Sequence, residues 1–352
     1  MAYLVTGATG FIGRFLVERL LERDGDIHVL VRPGSEAKLA RVSAGWPRGR
    51  VKAVSGDLAS PGLGIDPAWI DEHRGGIDHV FHLAAIYDMT ATEERNEQLN
   101  NGGTRHAVEV ANALEAGRLH HTSSVAAAGM YSGTFTEDMF DEGQDLHHPY
   151  HRTKFESERI AREESTVPWR VYRPAIVVGH SQTGEMDKID GPYYFFRAIR
   201  MGARMPDFLP LIGPRMGETN VVPVDFVAAA MDHIAHKPGL DGQAFHLVSP
   251  EPQRTVDLLN VFAKVAGAPR ITAALPREAL ELALKIPGVR GNLLPGMGIP
   301  EEVIDYADFT ARFDSSKAQA ALAGSGIVVP PIEDYAPVLW KYWCDNLAGN
   351  GE

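Results

Sequence analysis

The sequence predicts an α/β fold, in which helices cover both faces of a parallel β-sheet and a smaller lobe follows toward the C-terminus. In the first half of the 352 residues, short β-branched runs alternate with segments of helical periodicity, which is typical of a doubly wound parallel sheet. After Gly179 this order becomes irregular. We therefore expect a sheet domain over residues 1–180 and a smaller lobe over 181–352, with segments around 220–250 returning to the sheet.

The predicted strands are short apolar runs bounded by turn signals or small residues. They are AYLVT from Ala2, IHVLV from Ile27, VKAVSG from Val51, HVFHLAA from His79, LHHTSSV from Leu119, WRVYRPAIVV from Trp169, NVVPV from Asn220 and AFHLV from Ala244. Helical periodicity predicts helices over FIGRFLVERLLER from Phe11, over 94–114, over 150–164 and from Asp225. The Pro- and Gly-rich stretch 286–300 predicts a loop or lid.

Composition excludes several classes of function. A net charge of -12 opposes nucleic-acid binding, and the short basic stretch WPRGRVK from Trp46 indicates only a solvated turn. Cys344 is the only cysteine, so neither an internal disulfide nor a thiolate metal cluster is expected. The N-terminus lacks the pattern of a signal peptide and no apolar run is long enough for a membrane span. We expect a cytoplasmic protein, with a peripheral membrane contact left open.

The stretch YLVTGATGFIGRFLV from Tyr3 places glycines between a strand and a helix. Such a turn aims backbone N–H groups and the positive end of the helix at one point, where the pyrophosphate of a dinucleotide can bind. The seven-residue spacing of Gly7, Gly10 and Gly13 in this context favours nucleotide binding over a purely structural turn. The cofactor contacts predicted from this turn also include Thr9, Phe11, Ile12 and Arg14.

Arg32 predicts the kind of dinucleotide. An NAD-binding protein carries an acidic side chain at the end of the second strand, whereas this chain has VLVRP there. A guanidinium can pair with a 2′-phosphate, and Arg14 can supply a second cation, so we expect NADPH. The alternative is that both arginines are solvated surface charges. At the ends of the next two strands, further cofactor contacts are predicted for Asp57, Leu58, Leu83, Ala84 and Ala85.

HPYHRTKFESE places Tyr150 and Lys154 four residues apart at the start of a helix, so that both side chains emerge on one face. A neighbouring ammonium favours the phenolate, which suits Tyr150 to acid-base chemistry at a carbonyl oxygen while Lys154 binds the nicotinamide ribose. Upstream, a strand ends in Ser123 and Ser124, and we favour Ser124 as the second donor to that oxygen. Tyr-x-x-x-Lys also occurs as an ordinary surface pair. The order of glycine turn, serine and Tyr-x-x-x-Lys favours catalysis.

TGATGFIG, TSS, YHRTK and YRPAIVVG together resemble an extended short-chain dehydrogenase/reductase, which has a Rossmann sheet. More narrowly, FIGRFLVERLL, VFHLAAIYDM, HPYHRTKFESE, GEMDKIDGPYYFF and VVPVDFVAAAMDHIAH resemble the amino-terminal reductase domain of bacterial fatty acyl-CoA reductases. The resemblance implies an NADP(H)-binding core over 1–180 and a substrate lobe over 181–352. It also implies NADPH-dependent reduction of a long-chain acyl thioester or its aldehyde toward a fatty alcohol.

The resemblance assigns catalysis to Ser124, Tyr150 and Lys154, and a structural water or backbone contact to Asn100. Cofactor contacts are also predicted for Tyr150, Lys154 and Pro174. Predicted substrate contacts are Val125, Met186, Tyr193 and Tyr194, although the aromatic stripe from Tyr193 is also typical of core packing. The partner is then a small acyl-CoA or aldehyde, and a second reductase domain or a homo-oligomer is expected by analogy.

Two alternatives remain open at this stage. A nucleotide-sugar epimerase or dehydratase shares the fold but needs an acid where Arg32 lies, and a non-catalytic NADP(H)-sensing module needs neither Tyr150 nor Lys154. GHSQTG from Gly179 is not the spacing of a hydrolase nucleophile turn. HHPYH from His147 lacks a carboxylate at ligand spacing, so no metal is expected. Because Cys344 lies far in sequence from every motif, direct hydride delivery fits better than a covalent thioester intermediate.

Overall fold

The computed structural model describes residues 1–84, 97–187, 189, 191–206, 208–209, 211–214, 217–275 and 311–349. The strands are β1 (Ala2–Thr6), β2 (Asp26–Val31), β3 (Val51–Ser55), β4 (His79–His82), β5 (Leu119–Thr122), β6 (Gly133–Phe135), β7 (Trp169–Pro174), β8 (Ile176–Val178), β9 (Leu211–Pro214), β10 (Glu218–Thr219), β11 (Val221–Pro223), β12 (Gln243–Leu247), β13 (Gln253–Arg254), β14 (Ile271–Leu275) and β15 (Ala311–Phe313).

The α-helices are α1 (Phe11–Leu21), α2 (Glu36–Val42), α3 (Pro67–His73), α4 (Gly103–Ala113), α5 (Pro149–Glu163), α6 (Phe196–Gly202), α7 (Val224–His236), α8 (Thr255–Ala266), α9 (Ser316–Leu322) and α10 (Ile332–Asn346). Four short 3₁₀ turns are described at Ser43–Gly45, Pro61–Gly64, Val125–Ala128 and Gly191–Phe195. A π-helical turn over Glu97–Gly102 leads directly into α4.

Seven parallel strands form the main sheet in the order β12-β7-β5-β4-β1-β2-β3. The winding direction reverses between β1 and β4, and ligands of such sheets bind outside the carboxyl ends of the strands at this reversal. One layer of the core combines Leu4 and Val80 of the sheet with Val108 and Ala111 of α4. The predicted doubly wound α/β sheet is confirmed.

The chain divides into two compact units, each assembled from three sections of sequence. Unit 1 contains Met1–Ala175, Asp225–Val248 and Ala311–Val328, and it holds the seven-stranded sheet. Unit 2 contains the described residues of Ile176–Val224, Ser249–Thr310 and Val329–Glu352. In unit 2, Phe196 of α6 packs against Phe262 of α8 and Trp343 of α10.

The predicted strand WRVYRPAIVV is wrong as a single element. It forms β7 in the main sheet and β8 in a separate pair with β11. The N–H of Ala175 donates to Leu247, whereas the next N–H, of Ile176, donates to Asn220, so the chain changes partners immediately after Ala175.

Two further predictions fall partly or wholly outside the described residues. The predicted helix over 94–114 is described only from Glu97, where it begins as a π-helical turn and continues as α4. The predicted loop over 286–300 lies entirely outside the described residues.

Candidate functional site

The glycine turn joins β1 to α1 at the point where the sheet reverses direction. Gly7 has a φ of 74°, and a Cβ there would lie 2.7 Å from the backbone nitrogen of Ala84 at the end of β4. A Cβ on Gly13 would overlap the carbonyl oxygen of Gly7. Glycine at Gly7 is thus required by the backbone and by the neighbouring strand, and glycine at Gly13 by the close packing of α1 on the turn.

The first turn of α1 presents backbone donors without a side-chain cap. Gly10 is the N-cap residue and supplies no capping atom, and its own N–H donates to the carbonyl of Gly7 over 2.9 Å. The N–H groups that open the helix at Phe11 and Ile12 are therefore available to an anion, with the positive end of the helix dipole behind them. This donor set fits the pyrophosphate of a dinucleotide.

The two arginines predicted to select the cofactor have different surroundings. Arg32 follows directly after β2 and its side chain is exposed. Arg14 is half-buried, and its guanidinium lies over the rings of Phe15 at 4.8 Å and Phe11 at 5.6 Å. Stacking on aromatic faces orients a guanidinium while leaving its edge for hydrogen bonds.

The remaining predicted cofactor residues lie at strand ends of the same sheet. Asp57 follows β3, and its carboxylate accepts the N–H of Ala59 over 2.9 Å. The carbonyl of Leu58 lies 2.8 Å from Nδ1 of His106 on α4. The N–H groups of Leu83 and Ala84 donate to the carbonyl and the hydroxyl of Thr6, each over 3.3 Å. Pro174 is buried as the last residue of β7, and Ala85 lies outside the described residues.

Ser124 lies two residues beyond β5 and is the N-cap of the 3₁₀ turn Val125–Ala128. Its Oγ accepts the N–H of Ala126 over 3.2 Å, which leaves the hydroxyl proton available for another acceptor. Ser123 beside it is 2 % exposed, whereas Ser124 is half-buried. The geometry therefore favours Ser124 over Ser123 as a donor to a bound ligand.

Tyr150 and Lys154 lie one turn apart near the start of α5. His148 is the N-cap of this helix, and its Nδ1 accepts the N–H of Tyr150 over 3.2 Å. The Tyr150 side chain is half-buried, whereas Lys154 is 7 % exposed. Burial disfavours the ammonium form and lowers the pKa of Lys154 to about 8. Lys154 is thus a buried cation whose charge is only weakly favoured at neutral pH.

The carboxylate one turn beyond Lys154 on the same helix pairs with an arginine of the sheet. Glu158 is fully buried and pairs with Arg173 of β7, with Nε–Oε2 and Nη2–Oε1 distances of 2.9 and 2.7 Å. Burial by itself raises the pKa of Glu158, but the charge and hydrogen bonds of Arg173 outweigh this and lower the pKa to about 2. Glu158 therefore anchors α5 to the sheet.

Sequence reasoning missed a buried polar row beneath the strand ends. In the sheet register Thr6 lies beside His82, and His82 lies beside His121. The Thr6 hydroxyl is 2.8 Å from Nδ1 of His82, and Nε2 of His82 is 3.1 Å from the hydroxyl of Thr104 on α4. All four side chains are at most 2 % exposed. The available signal was the presence of two ionisable residues, His79 and His82, in a short strand that is otherwise apolar.

Of the predicted substrate residues, Met186 and Tyr193 are buried in the core of unit 2, at 4 % and 1 % exposed. The hydroxyl of Tyr193 accepts the N–H of Gly179, and burial raises its pKa. Val125 in unit 1 and Tyr194 in unit 2 are half-buried. Contact of these four side chains with a substrate stays a prediction.

Across the described ranges, no three or more His, Cys, Asp or Glu side chains are grouped so that they could hold a metal ion. Over the same part of the chain, none of the helices combines the length and the apolarity needed to cross a membrane.

The parallel sheet and its glycine turn define a Rossmann-type NAD(P)-binding protein of the extended short-chain dehydrogenase/reductase class. Residues 5–231 match the family model NAD_binding_4, described as Male sterility protein, and the chain belongs to this family.

The relatives of this chain include reductases and synthetases. It is 28 % identical over 316 residues to one of the subunits of linear gramicidin synthase from Brevibacillus parabrevis, a match that covers 84 % of this chain and 6 % of that protein. It is 28 % identical over 277 residues to aldehyde reductase lnbA of Aspergillus flavus, covering 72 % of this chain and 27 % of that protein. The chain thus spans only a small part of these curated relatives.

A solved structure shares the fold over nearly the whole chain. It is the terminal R domain from the myxalamid PKS-NRPS biosynthetic pathway, with a TM-score of 0.81 and 24 % identity over 98 % of this chain and 90 % of that chain.

Proposed function

We propose that this protein is an NADPH-dependent reductase that acts on an acyl thioester, or on the corresponding aldehyde, with Ser124, Tyr150 and Lys154 as catalytic residues. The observation that carries the proposal is the pairing of a half-buried tyrosine with a buried lysine one turn away on α5, in a chain that also has the glycine turn. The family membership and the reductases among the relatives support it.

The chain's own groups would hold the cofactor at the reversal point of the sheet. The uncapped N–H groups at the start of α1 would bind the pyrophosphate, and Arg14 and Arg32 the 2′-phosphate. Lys154 would donate to the nicotinamide ribose, and Pro174 would border the nicotinamide. When bound, NADPH supplies the hydride.

The proton chemistry belongs to Tyr150 and Ser124. Both hydroxyls would donate to the substrate carbonyl oxygen and stabilise the negative charge that develops there as the carbon is reduced. The charge of Lys154 favours the phenolate form of Tyr150 and so eases release of its proton. Addition of a hydride and a proton to a thioester carbonyl gives a hemithioacetal, which expels the thiol to yield an aldehyde. A second reduction of the aldehyde yields an alcohol.

The proposal includes the kind of acyl group that is reduced and the residues that bind it. The sequence resemblance points to a long-chain acyl group, and we propose that it is presented as a thioester of either CoA or a carrier protein. We propose unit 1 as the cofactor domain and residues of unit 2, among them Met186, Tyr193 and Tyr194, as contributors to acyl binding. A further domain or a second copy of the chain would be the partner, in the cytoplasm.

One assay separates this proposal from its rivals. NADPH oxidation is followed with a long-chain acyl-CoA, the same acyl group on a carrier protein, the matching aldehyde and a UDP-sugar. We expect turnover with at least one of the first three. Turnover with the sugar alone would indicate an epimerase or dehydratase, and binding of NADPH without any turnover would indicate a sensing module.

Tyr150→Phe is the variant that tests the mechanism. It removes only the proton donor, so we expect kcat to fall by about 10²- to 10⁴-fold, while the Kd for NADPH, measured by fluorescence titration, changes less than about twofold. Tyr342→Phe, at a partly exposed tyrosine of α10, is the matched control and should leave kcat unchanged. Equal activity of Tyr150→Phe and the wild type would refute the assignment.

A further inference from the structure

A continuous chain of hydrogen bonds runs through the imidazole of His82. On one side, Nδ1 lies 2.8 Å from the hydroxyl of Thr6, which also accepts the N–H of Ala84 over 3.3 Å. On the other side, Nε2 lies 3.1 Å from the hydroxyl of Thr104, which donates to the carbonyl of Asn100 over 2.7 Å. The chain therefore connects the ends of β1 and β4 to the π-helical turn and the first turn of α4.

In this chain of hydrogen bonds, only one direction of donation satisfies every group. The Thr104 proton is committed to the carbonyl of Asn100, so its oxygen must accept from Nε2–H of His82. Nδ1 of the neutral ring is then an acceptor, and the Thr6 proton points to it. In the opposite direction the Thr6 hydroxyl would have no acceptor among the described residues, and a buried unpaired hydroxyl is costly.

The surroundings keep this imidazole neutral. His82 is 2 % exposed, and burial, followed by the charge of Lys154, lowers its pKa to about 3. The ring of His121 stacks on it at 5.6 Å, and burial lowers the pKa of His121 as well. Among the described residues, Lys154 and His121 are the ionisable groups that face His82, and neither is an anion that could stabilise an imidazolium.

We propose that His82 is a positioning residue, which fixes the glycine-turn edge of the sheet relative to the π-helical turn at Asn100 through this one-way chain. The inference rests on the proposed function in one respect only, namely that Gly7 and Ala84 border the dinucleotide. A cofactor contact at Ala84 would be held in place by Thr6 and His82, and through them by Thr104 on α4.

The first test is spectroscopic and uses the wild-type protein. In a long-range ¹H–¹⁵N spectrum of histidine-labelled protein, the His82 ring is assigned from the signal that His82→Gln removes or that Thr104→Ser displaces. We expect one neutral tautomer with its proton on Nε2, unchanged between about pH 5 and pH 8. A proton on Nδ1, or titration near the ordinary histidine value, would overturn the proposal.

The second test measures NADPH affinity without substrate, so it stays informative even if no carbonyl compound is reduced. Thr104→Val removes the hydroxyl at nearly constant volume and should raise the Kd about fivefold, the effect of one lost hydrogen bond. Thr104→Ser restores the hydroxyl and should stay within about twofold of the wild type. A purely space-filling role of Thr104 predicts the opposite order.

The control is to make Thr104→Val in the His82→Leu variant and to compare its effect with that in the wild type. In His82→Leu the chain is already broken, so adding Thr104→Val should change the Kd by less than about twofold. The same fivefold effect in both backgrounds would show that Thr104 acts independently of His82 and would reject the proposal. If these variants fail to fold, the tautomer measured in the wild type decides.

Discussion

At the scale of single residues, burial of the Lys154 ammonium lowers the stability of the folded protein, whereas the proposed reaction needs its positive charge. The side chain is 7 % exposed, Glu158 on the same helix is already paired with Arg173, and no other carboxylate among the described residues pairs with the ammonium. A buried cation of this kind is costly to the folded state and useful only when a ligand or a developing negative charge lies beside it.

Replacing Lys154 should therefore stabilise the protein while abolishing turnover. The pKa is lowered from 10.5 to about 8 on folding, so the unfolded chain holds more protons between these values. The cost is fully present below about pH 8 and disappears as pH rises toward 10.5. We expect Lys154→Met to raise the free energy of unfolding by on the order of 3 kcal/mol at pH 7, and by much less at pH 10.

Denaturant titrations of Lys154→Met and wild type at both pH values provide the measurement. Lys237→Met is the control, because Lys237 donates to the carbonyl of Ala321 at the surface of unit 1. A lower stability of Lys154→Met than of the wild type at pH 7 would show that the ammonium has a compensating partner.

Arg32 is the residue that we propose selects between the two nicotinamide dinucleotides. Replacing an exposed cation with an anion at the end of β2 should repel a 2′-phosphate and favour a 2′-hydroxyl. We expect Arg32→Asp to lower the ratio of kcat/KM for NADPH to that for NADH by at least about tenfold, which corresponds to one charge-assisted hydrogen bond. Arg48→Asp, at another exposed arginine, should leave the ratio unchanged. An unaltered ratio in Arg32→Asp would remove Arg32 from the cofactor site.

At the scale of elements, the first half of α5 carries the candidate catalytic residues, and a deeply buried ion pair follows one turn later. Tyr150 and Lys154 lie in its first half, and Glu158 follows one turn later, bonded to Arg173 of β7 and Arg162 of the same helix. An ion pair without exposure to water is costly to break, because each charge left alone is unsolvated.

Glu158→Gln should weaken this anchor. It leaves Arg173 buried beside a neutral amide, and we expect a loss of about 3 to 5 kcal/mol in the free energy of unfolding, followed by a lower kcat. Because folding lowers the pKa of Glu158 from 4.5 to about 2, the stability it contributes is present above pH 4.5 and is lost as pH falls toward 2. Denaturant titrations over this range should therefore show the stability difference between wild type and Glu158→Gln shrinking as the pH falls.

The neighbouring pair on the same helix provides the control. Glu156 pairs with Arg159 at the surface, where its side chain is 28 % exposed, so Glu156→Gln should cost less than about 1 kcal/mol. Equal losses for Glu156→Gln and Glu158→Gln would mean that the buried ion pair does not anchor α5.

The elements that were predictable from sequence are those whose signal is local. All seven strands of the main sheet overlap predicted strands, because parallel strands covered on both faces are buried and rich in apolar residues. The short strands β6 and β15 pair across more than a hundred residues of sequence, so their pairing depends on tertiary contacts that no local pattern reveals. In the candidate site the glycine turn is a local motif, whereas the chain through His82 joins side chains from three separate elements.

At the scale of the whole molecule, Glu137 connects distant parts of unit 1. Its Oε1 accepts the N–H groups of His246 and Ala318 over 2.8 and 3.0 Å, and its Oε2 accepts the N–H of Lys317 over 2.6 Å. One buried carboxylate thus binds the edge strand β12 and the start of α9 to the segment after β6.

Glu137→Ala should release α9 from the sheet. Two buried N–H groups and the partly buried N–H of Lys317 would lose their acceptor. We expect hydrogen exchange of the segment 311–328 to accelerate by at least about tenfold, at a cost of several kcal/mol. Asp138→Ala is the matched control, because Asp138 is exposed and pairs only with the Lys317 side chain among the described residues. Equal protection of 311–328 in Glu137→Ala and wild type would contradict this role.

The discontinuity of the units has a consequence for biosynthesis. On the ribosome, the seven-stranded sheet stays without its edge strand β12 until residue 247 has emerged, and α9 cannot cover it before residue 322. The glycine turn leaves the exit tunnel long before the later sections of its own unit have been synthesised. A nascent chain that stalls in between presents an open row of backbone groups along β7, the kind of surface that chaperones protect and that aggregation recruits.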